Sequence, residues 1–261
     1  MGKTGLTEPG SERGGAENEL RGEGAARRSS FGWWLAGRMI MERVAEPEWM
    51  DLPAEAEAYA RADFDDVNAA FVERLIELAG GVGRAVAVDL GTGPGDIPIR
   101  VARARPGWHV VAVDVSSAML KIARKAVASA GLASRITLLE GDAKELPLPS
   151  RSADIVFSNS ILHHVTDSDR LWVEVQRIAR QDAVIFLRDL ARPADEQAAR
   201  RIVDQYAASE SALLQEEFYR SLLSAYTPAE VREQLNRAGL GFLKVAMVTD
   251  RHLDVWGRIV A

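Results

Sequence analysis

The residues most able to do chemistry begin with Val86-Ala87-Val88-Asp89-Leu90-Gly91-Thr92-Gly93-Pro94-Gly95-Asp96. An apolar run enters a glycine-rich turn that opens a helix. Glycine there permits unusual backbone dihedrals and lets a ligand approach without a Cβ in the way. The dinucleotide fingerprint needs Gly-x-Gly-x-x-Gly. Here the third glycine comes one place early, and Asp96 stands where the fingerprint requires glycine. A carboxylate at that helix start also repels a pyrophosphate. What remains is Gly-x-Gly-x-Gly with Asp89 two places ahead, which suits a ligand carrying a cationic ammonium group.

More polar groups follow at regular intervals. Val110-Val111-Ala112-Val113 ends in Asp114, an acid placed to accept both hydroxyls of a ribose. Ser116 reads as the cap of the next helix, and Met119 lies one turn in, either as plain core or as a thioether packed on a flat ring. Glu140-Gly141-Asp142-Ala143 offers a carboxylate for an exocyclic amine, with a turn acid as the alternative. Asp154-Ile155-Val156-Phe157 leads into Ser158-Asn159-Ser160. His163 and His164 come next, as candidate general bases or as a loop pair with one ring packed and one in water. Asp189 follows another apolar run and either orients a substrate or caps the next segment. Asp250-Arg251-His252 reads as a solvated hairpin tip. No metal ligand set is assigned.

The elements that would position these residues follow from the hydrophobic pattern. Short apolar runs at 85–90, 108–113, 135–140, 153–158 and 183–188 alternate with helical stretches at 95–104, 116–130 and 166–180. Such alternation predicts a doubly wound α/β fold, a mostly parallel sheet covered on both faces. Ahead of it, Pro53 opens a helix through Tyr59. A second helix starts at Asp65 or Asp66, carries Val67, Phe71, Leu75 and Leu78 at helical spacing, and ends at Gly80-Gly81. Residues 193–225 exceed what a crossover needs and read as a helical insert near the ligand edge, with Tyr206, Phe218 and Tyr219 facing an apolar substrate. Thr227-Pro228-Ala229-Glu230 starts one more helix by a capping box, and Gly239 stops it. The runs 240–249 and 253–260 form a closing hairpin.

Composition narrows the function classes. With 47% hydrophobic and 27% charged residues in 261, the chain can bury a sizeable core. A net charge of −6 argues against nucleic acid as partner. The absence of cysteine excludes disulfides, zinc–thiolate sites and thiol nucleophiles, and fits a reducing, cytoplasmic setting. No apolar stretch reaches the ~20 residues of a membrane helix. Arg27-Arg28 and the apolar residues after it faintly resemble a twin-arginine signal, but Arg38, Glu42 and Arg43 break the run. Residues 1–38 read as a disordered tail, 39–82 as an N-terminal helical cap and 83–261 as the main domain, with Met39 and Met41 as alternative starts.

The run from Asp89 to Val165 resembles a class I S-adenosylmethionine-dependent methyltransferase, most closely the group with ubiquinone/menaquinone C-methyltransferases and many small-molecule methyltransferases. The Asp-Leu-Gly-x-Gly-x-Gly turn, the Asp114 tip followed by Ser-Ser-Ala-Met-Leu, and the Gly141-Asp142-Ala143 step carry the likeness, over roughly residues 54–190. The resemblance implies a Rossmann-like seven-stranded sheet with the last strand antiparallel, and S-adenosyl-L-methionine as cofactor. It implies that Asp89 and the backbone of Gly91, Thr92, Gly93 and Gly95 hold the methionine part. Asp114, with Val115 and Met119 beside it, would take the ribose and adenine side, and Asp142 and Ala143 the adenine. Asn159 would line the mouth, and Tyr59, otherwise an ordinary packing aromatic, would close over the cofactor. His163, His164 and Asp189 are the candidate catalytic groups.

Methyl transfer to a small-molecule acceptor is therefore the expected activity, with O-, N- or C-methylation open. Arsenic methyltransferases share the cofactor domain but need cysteine, which this chain lacks. Aminopropyl transfer and non-catalytic cofactor binding are the rival readings. The first wants an acidic pocket that the sequence does not display, and the second has no need for both the glycine turn and Asp114. A second copy of the chain is left open as a partner.

Overall fold

The computed structural model describes residues 41–46, 56, 57, 59, 60 and 64–260. The expected tail at 1–38, Met39 and Pro53 lie outside the described residues. The elements are α1 (Asp65–Ala79), β1 (Ala85–Leu90), α2 (Asp96–Ala104), β2 (Trp108–Asp114), α3 (Ser117–Ser129), β3 (Ile136–Glu140) and β4 (Ala153–Asn159). After them come α4 (Ser168–Ile178), β5 (Ala179–Leu190), α5 (Glu196–Tyr206), α6 (Ala212–Ser224), α7 (Pro228–Arg237), β6 (Lys244–Met247) and β7 (His252–Arg258).

The strands form one seven-stranded sheet in the order β3-β2-β1-β4-β5-β7-β6. The first five run parallel, and β7 is antiparallel to both neighbours. This is the Rossmann-like α/β arrangement expected. The chain starts in the middle at β1, winds outward to β3, then returns to place β4 on the other side of β1. A crevice opens at the carboxyl ends where the winding reverses.

Alternate residues of each strand feed opposite layers. Val88, Val156 and Ile185 pack with Trp172 and Val175 of α4 and Val231 and Leu235 of α7. Ala87, Phe157 and Phe186 pack on the other side with Phe71 and Leu75 of α1 and Val101 of α2. The Phe71 ring stacks on Phe186 at 4.6 Å between centroids. The segment read as an N-terminal cap thus supplies, in α1, one of the helices that cover the sheet. The buried Trp172 indole N–H donates to Gln234 at 3.1 Å, which joins α4 to α7 without an orphaned donor.

Two boundaries differ from expectation. β5 begins at Ala179, directly after α4, four residues before the apolar run. Its first residues are polar: Arg180 pairs with Asp154 at 2.6 Å, and Asp182 turns through a left-handed φ of 62° while donating to the Ile259 carbonyl. The hairpin strand β6 spans only four residues, since Leu240 and Leu243 are instead buried beside α7. The capping box of α7 is present as read, and Gly239 follows the helix with φ +74°.

The antiparallel edge is pinned by charge. Arg188 of β5 and Asp254 of β7 stand directly opposite and form a two-pronged pair at 2.7 and 2.9 Å, with Asp254 1% exposed. Removing one partner strands the other charge in the interior. Arg188→Ala is therefore expected to lower the unfolding free energy by about 3–5 kcal/mol in urea titrations, while Arg188→Met with Asp254→Leu recovers most of the loss.

Candidate active-site cleft

Carboxyl ends of β1, β2, β4 and β5 surround a cleft with two lobes that share Tyr59, Phe64, Asn68, Gly91, Gly93 and Asn159. The smaller lobe, about 210 Å³, reaches Asp89, Thr92 and Asp96. The larger, about 500 Å³, runs past Asp114, Val115, Met119, Asp142 and Ala143 to His163, His164 and α6.

The turn after β1 is shaped for close approach. Gly91, Gly93 and Gly95 all have left-handed φ, of 71°, 56° and 90°. A Cβ on Gly91 would strike Ile161 at 2.9 Å, whereas one on Gly93 would meet nothing within 4 Å, so the space there belongs to the cleft. The turn's own N–H groups are largely taken up. Thr92 donates to the Val113 carbonyl, Gly93 to Asp114 and Gly95 to the Thr92 carbonyl. The turn therefore offers room and shape more than free donors.

Asp89 sits beneath it, 2% exposed, and its Oδ2 has no hydrogen-bond partner among the described residues, nor does the buried Thr92 hydroxyl. Burial pushes the Asp89 carboxyl up to about 7, and the Asp114 charge adds to it. A buried carboxylate oxygen without a donor is what an ammonium group would satisfy. Asp114 is anchored at the tip of β2: Oδ2 accepts from Gly93 N at 2.7 Å and Oδ1 from Ser116 N at 2.8 Å. Burial raises its pKa while these backbone donors hold it down. Each oxygen keeps a lone pair for a ligand hydroxyl. Ser116 caps α3 by accepting from Met119 N, and the buried Met119 lines the cleft. Asp142 accepts from Lys144 N at 2.8 Å and lies 3.3 Å from the Lys144 ammonium. Tyr59 packs at a 38° tilt on Phe64, centroids 5.0 Å apart, beside both lobes, its hydroxyl pushed up to about 12 by burial and by the charges of Asp114 and Asp189.

At the far end of the larger lobe stands a second polar group. His163 is 3% exposed, and its Nδ1 lies 2.5 Å from Asp189 Oδ1. Asp189 itself, at 1% exposure, does not line the cleft. It accepts from Leu162 N at 2.5 Å and Leu190 N at 2.7 Å, so it orients His163. Burial alone would lower the His163 pKa; the Asp189 charge and hydrogen bond, helped by Glu46 and opposed by Arg43, outweigh it and raise it. His164 lines the lobe beside it, with ring centroids 4.1 Å apart.

Several participants escaped the sequence reading. Glu46 approaches both histidines, and Arg43 donates to the His163 carbonyl at 2.9 Å. Asn68 bonds Asp96 at 2.9 Å and accepts from Asn159 at 3.4 Å. None has a local motif; only the fold brings them to the β4 edge. Two expectations are corrected. Tyr219 does not face the cleft: it is buried in the small core of α5 and α6 under Arg200, while Tyr206, Leu214 and Phe218 line the lobe. The Asp250-Arg251-His252 turn is no purely solvated tip: Arg251 stacks on the Tyr206 ring at 3.3 Å, and buried His252 is pushed down to about 4 by desolvation and by Arg251 and Arg188.

Comparison with known proteins finds likeness to methyltransferases. Residues 88–187, from β1 into β5, match the family described as a methyltransferase domain. The demethylmenaquinone methyltransferase of Lactobacillus johnsonii is 32% identical over 108 residues, 41% of this chain and 44% of that one. The ubiquinone/menaquinone biosynthesis C-methyltransferase of Hahella chejuensis is 27% identical over 155 residues, 53% of this chain and 62% of that one. The chain thus spans about half the length of these curated relatives. An S-adenosylmethionine-dependent methyltransferase from Aquifex aeolicus shares the fold, with a TM-score of 0.61 at 19% identity over 81% of this chain and all of that one.

The electrostatics of Asp89 yield a signed prediction. Its folded pKa lies above its unfolded value, so its contribution to stability is whole below about pH 4 and is lost as pH rises through 7. Asp89→Asn is expected to flatten that loss and to stabilise the ligand-free protein at pH 8 by up to about 4 kcal/mol relative to pH 4 behaviour, read from denaturant titrations at both pH values. An identical wild-type and variant pH profile would show that the carboxylate is solvated.

Proposed function

We propose, from the premise that residues 88–187 form a class I S-adenosylmethionine-dependent methyltransferase domain, that the chain transfers a methyl group from S-adenosyl-L-methionine to a small-molecule acceptor. The observation that carries this is the buried, partnerless Asp89 oxygen at the floor of a left-handed glycine turn, with the Asp114 carboxylate at the neighbouring strand tip. The residues present fit the cofactor: a carboxylate for its ammonium group, an acid with free lone pairs for its ribose, and Met119, Val115 and Ala143 for a flat ring, with Asp142 at the ring's edge. Bound there, the cofactor supplies an already activated methyl group.

The chain's task is then positioning, exclusion of water and, for a protonated acceptor, removal of a proton. Tyr59 and Asn159 border both lobes, where donor and acceptor would meet. His163, oriented by Asp189, and His164 stand at the acceptor end. The insert supplies Tyr206, Leu214 and Phe218 as an apolar wall with Glu210 and Glu217 as polar company, and the turn before β7 adds Arg251. A helical pair with its own small core, borne on one strand end, suits a lid that selects the acceptor. The net charge of −6 supports a small molecule over nucleic acid. Among the described residues no helix is long and apolar enough to cross a membrane.

S-adenosylmethionine or its demethylated product is expected to raise the melting temperature, and NAD is not; the reverse pattern overturns the cofactor assignment. Asp114→Asn is expected to cut cofactor affinity in calorimetry by about 10–100-fold, the loss of charge on bonds worth about 1.5–3 kcal/mol each. Hydrogen exchange in 193–225 is expected to slow when cofactor and acceptor bind. Protection equal to that of β1 and β4 in the ligand-free protein would make the insert fixed structure rather than a lid.

A further inference from the structure

One cluster in the cleft is left over once the methyl donor is accommodated. Glu46 Oε1 lies 3.2 Å from His164 Nδ1 and 3.6 Å from His163 Nε2, and one ligand atom from each of the three residues falls within 4.8 Å of the others. We propose that Glu46, His163 and His164 bind one divalent transition-metal cation, whose remaining positions take an oxygen of the acceptor. The metal site stands on its own geometry; its use for the acceptor rests on the methyl-transfer function proposed above.

The orientation of the side chains carries the case. Asp189 accepts from two backbone N–H groups and meets His163 at Nδ1, which leaves Nε2 as the ring nitrogen turned toward Glu46. Glu46 in turn accepts from the hydroxyls of Ser221 at 3.1 Å and Ser224 at 3.0 Å, which fix its carboxylate in place. A ring nitrogen and a carboxylate thus face each other, and a positive centre between them satisfies both. An extra ring proton could bridge one histidine–glutamate contact; a cation among the three atoms meets all of them. Metal–ligand bonds of about 2.1 Å at tetrahedral angles set ligands about 3.4 Å apart, close to the two separations observed.

The surroundings have the form of an outer ligand shell. A carboxylate behind a histidine fixes its tautomer and raises its basicity, and hydroxyls behind a glutamate fix its rotamer. Three protein ligands leave positions open, and His163, His164 and Ser221 line the larger lobe, so those positions face the acceptor space. Two imidazoles and one carboxylate suit zinc, manganese or iron(II) better than the all-oxygen preference of magnesium or calcium.

The test uses the full chain, stripped with a chelator and then dialysed against ZnCl₂, MnCl₂ or CoCl₂. About one equivalent of metal is expected by elemental analysis, with visible absorption bands for cobalt. Glu46→Gln and His164→Asn, at less buried positions than His163, are each expected to weaken binding at least tenfold while keeping the melting shift with S-adenosylhomocysteine. Substoichiometric metal in the wild type, or undiminished binding in both variants, overturns the site. Metal binding without any S-adenosylhomocysteine shift would sustain the site and remove the methyl donor; a shift without metal would do the opposite.

Discussion

The Asp189 carboxylate is the joint on which the histidine-lined end of the cleft depends. It gathers the N–H of Leu162, the ring of His163 and the N–H of Leu190, and so ties the loop after β4 to the end of β5. Those two strands are neighbours paired to the end of β4, and Asp189 sits just past the last pair. Without this buried acceptor, the N–H groups of Leu162 and Leu190 would lose their partner, a cost that native structures avoid. Once the carboxylate is in place, the direction of His163 follows, then its approach to Glu46, then the seat of the segment at 41–46. Arg43 completes the circuit by donating to the His163 carbonyl and the Ser224 carbonyl.

The two ends of the cleft are built on different principles. At the end lined by the glycine turn, residues at the tips of neighbouring strands β1 and β2 do the work, and Asp89 and Asp114 are held in low-dielectric surroundings that raise their pKa values. The ligand-free protein carries unresolved electrostatic tension there, the usual mark of a site organised for a partner not itself part of the fold. At the histidine-lined end, residues far apart in the chain converge. Glu46 meets Ser224 across 178 positions and Arg43 meets Ser224 across 181.

This division also explains what could be read in advance. The five parallel strands, the glycine turn and the polar tips at 89, 114, 142 and 159 were legible because each is a local pattern: an apolar run, a breaker, a polar residue. The antiparallel hairpin and the capping box of α7 were legible for the same reason. Glu46, Arg43 and Asn68 were not, since nothing in their neighbours' chemistry distinguishes them from solvated polar residues until β4 and the insert are brought beside them. Tyr219 was misjudged because helical spacing gives a side chain's periodicity but not which of two partners, the cleft or the sister helix, claims that face. Arg180 and Asp182 concealed the start of β5 because a strand extending past its neighbour loses the apolar signature there.

The helical insert leaves and returns at nearly one point. Ala191 bridges Tyr226, and the buried Arg192 donates to the Ala225 carbonyl and pairs with Glu230, so both stems are clasped just beyond β5. Between the stems the helices pack mainly on each other and on Leu190. An excursion closed at its base is insulated from the sheet in folding and in descent: its length and lining can drift, be exchanged or be grafted between relatives while the frame beneath keeps its register. The match to the wider family ends at residue 187, just short of that clasp. The clasp thus marks a seam at which a variable excursion is joined to a fixed frame.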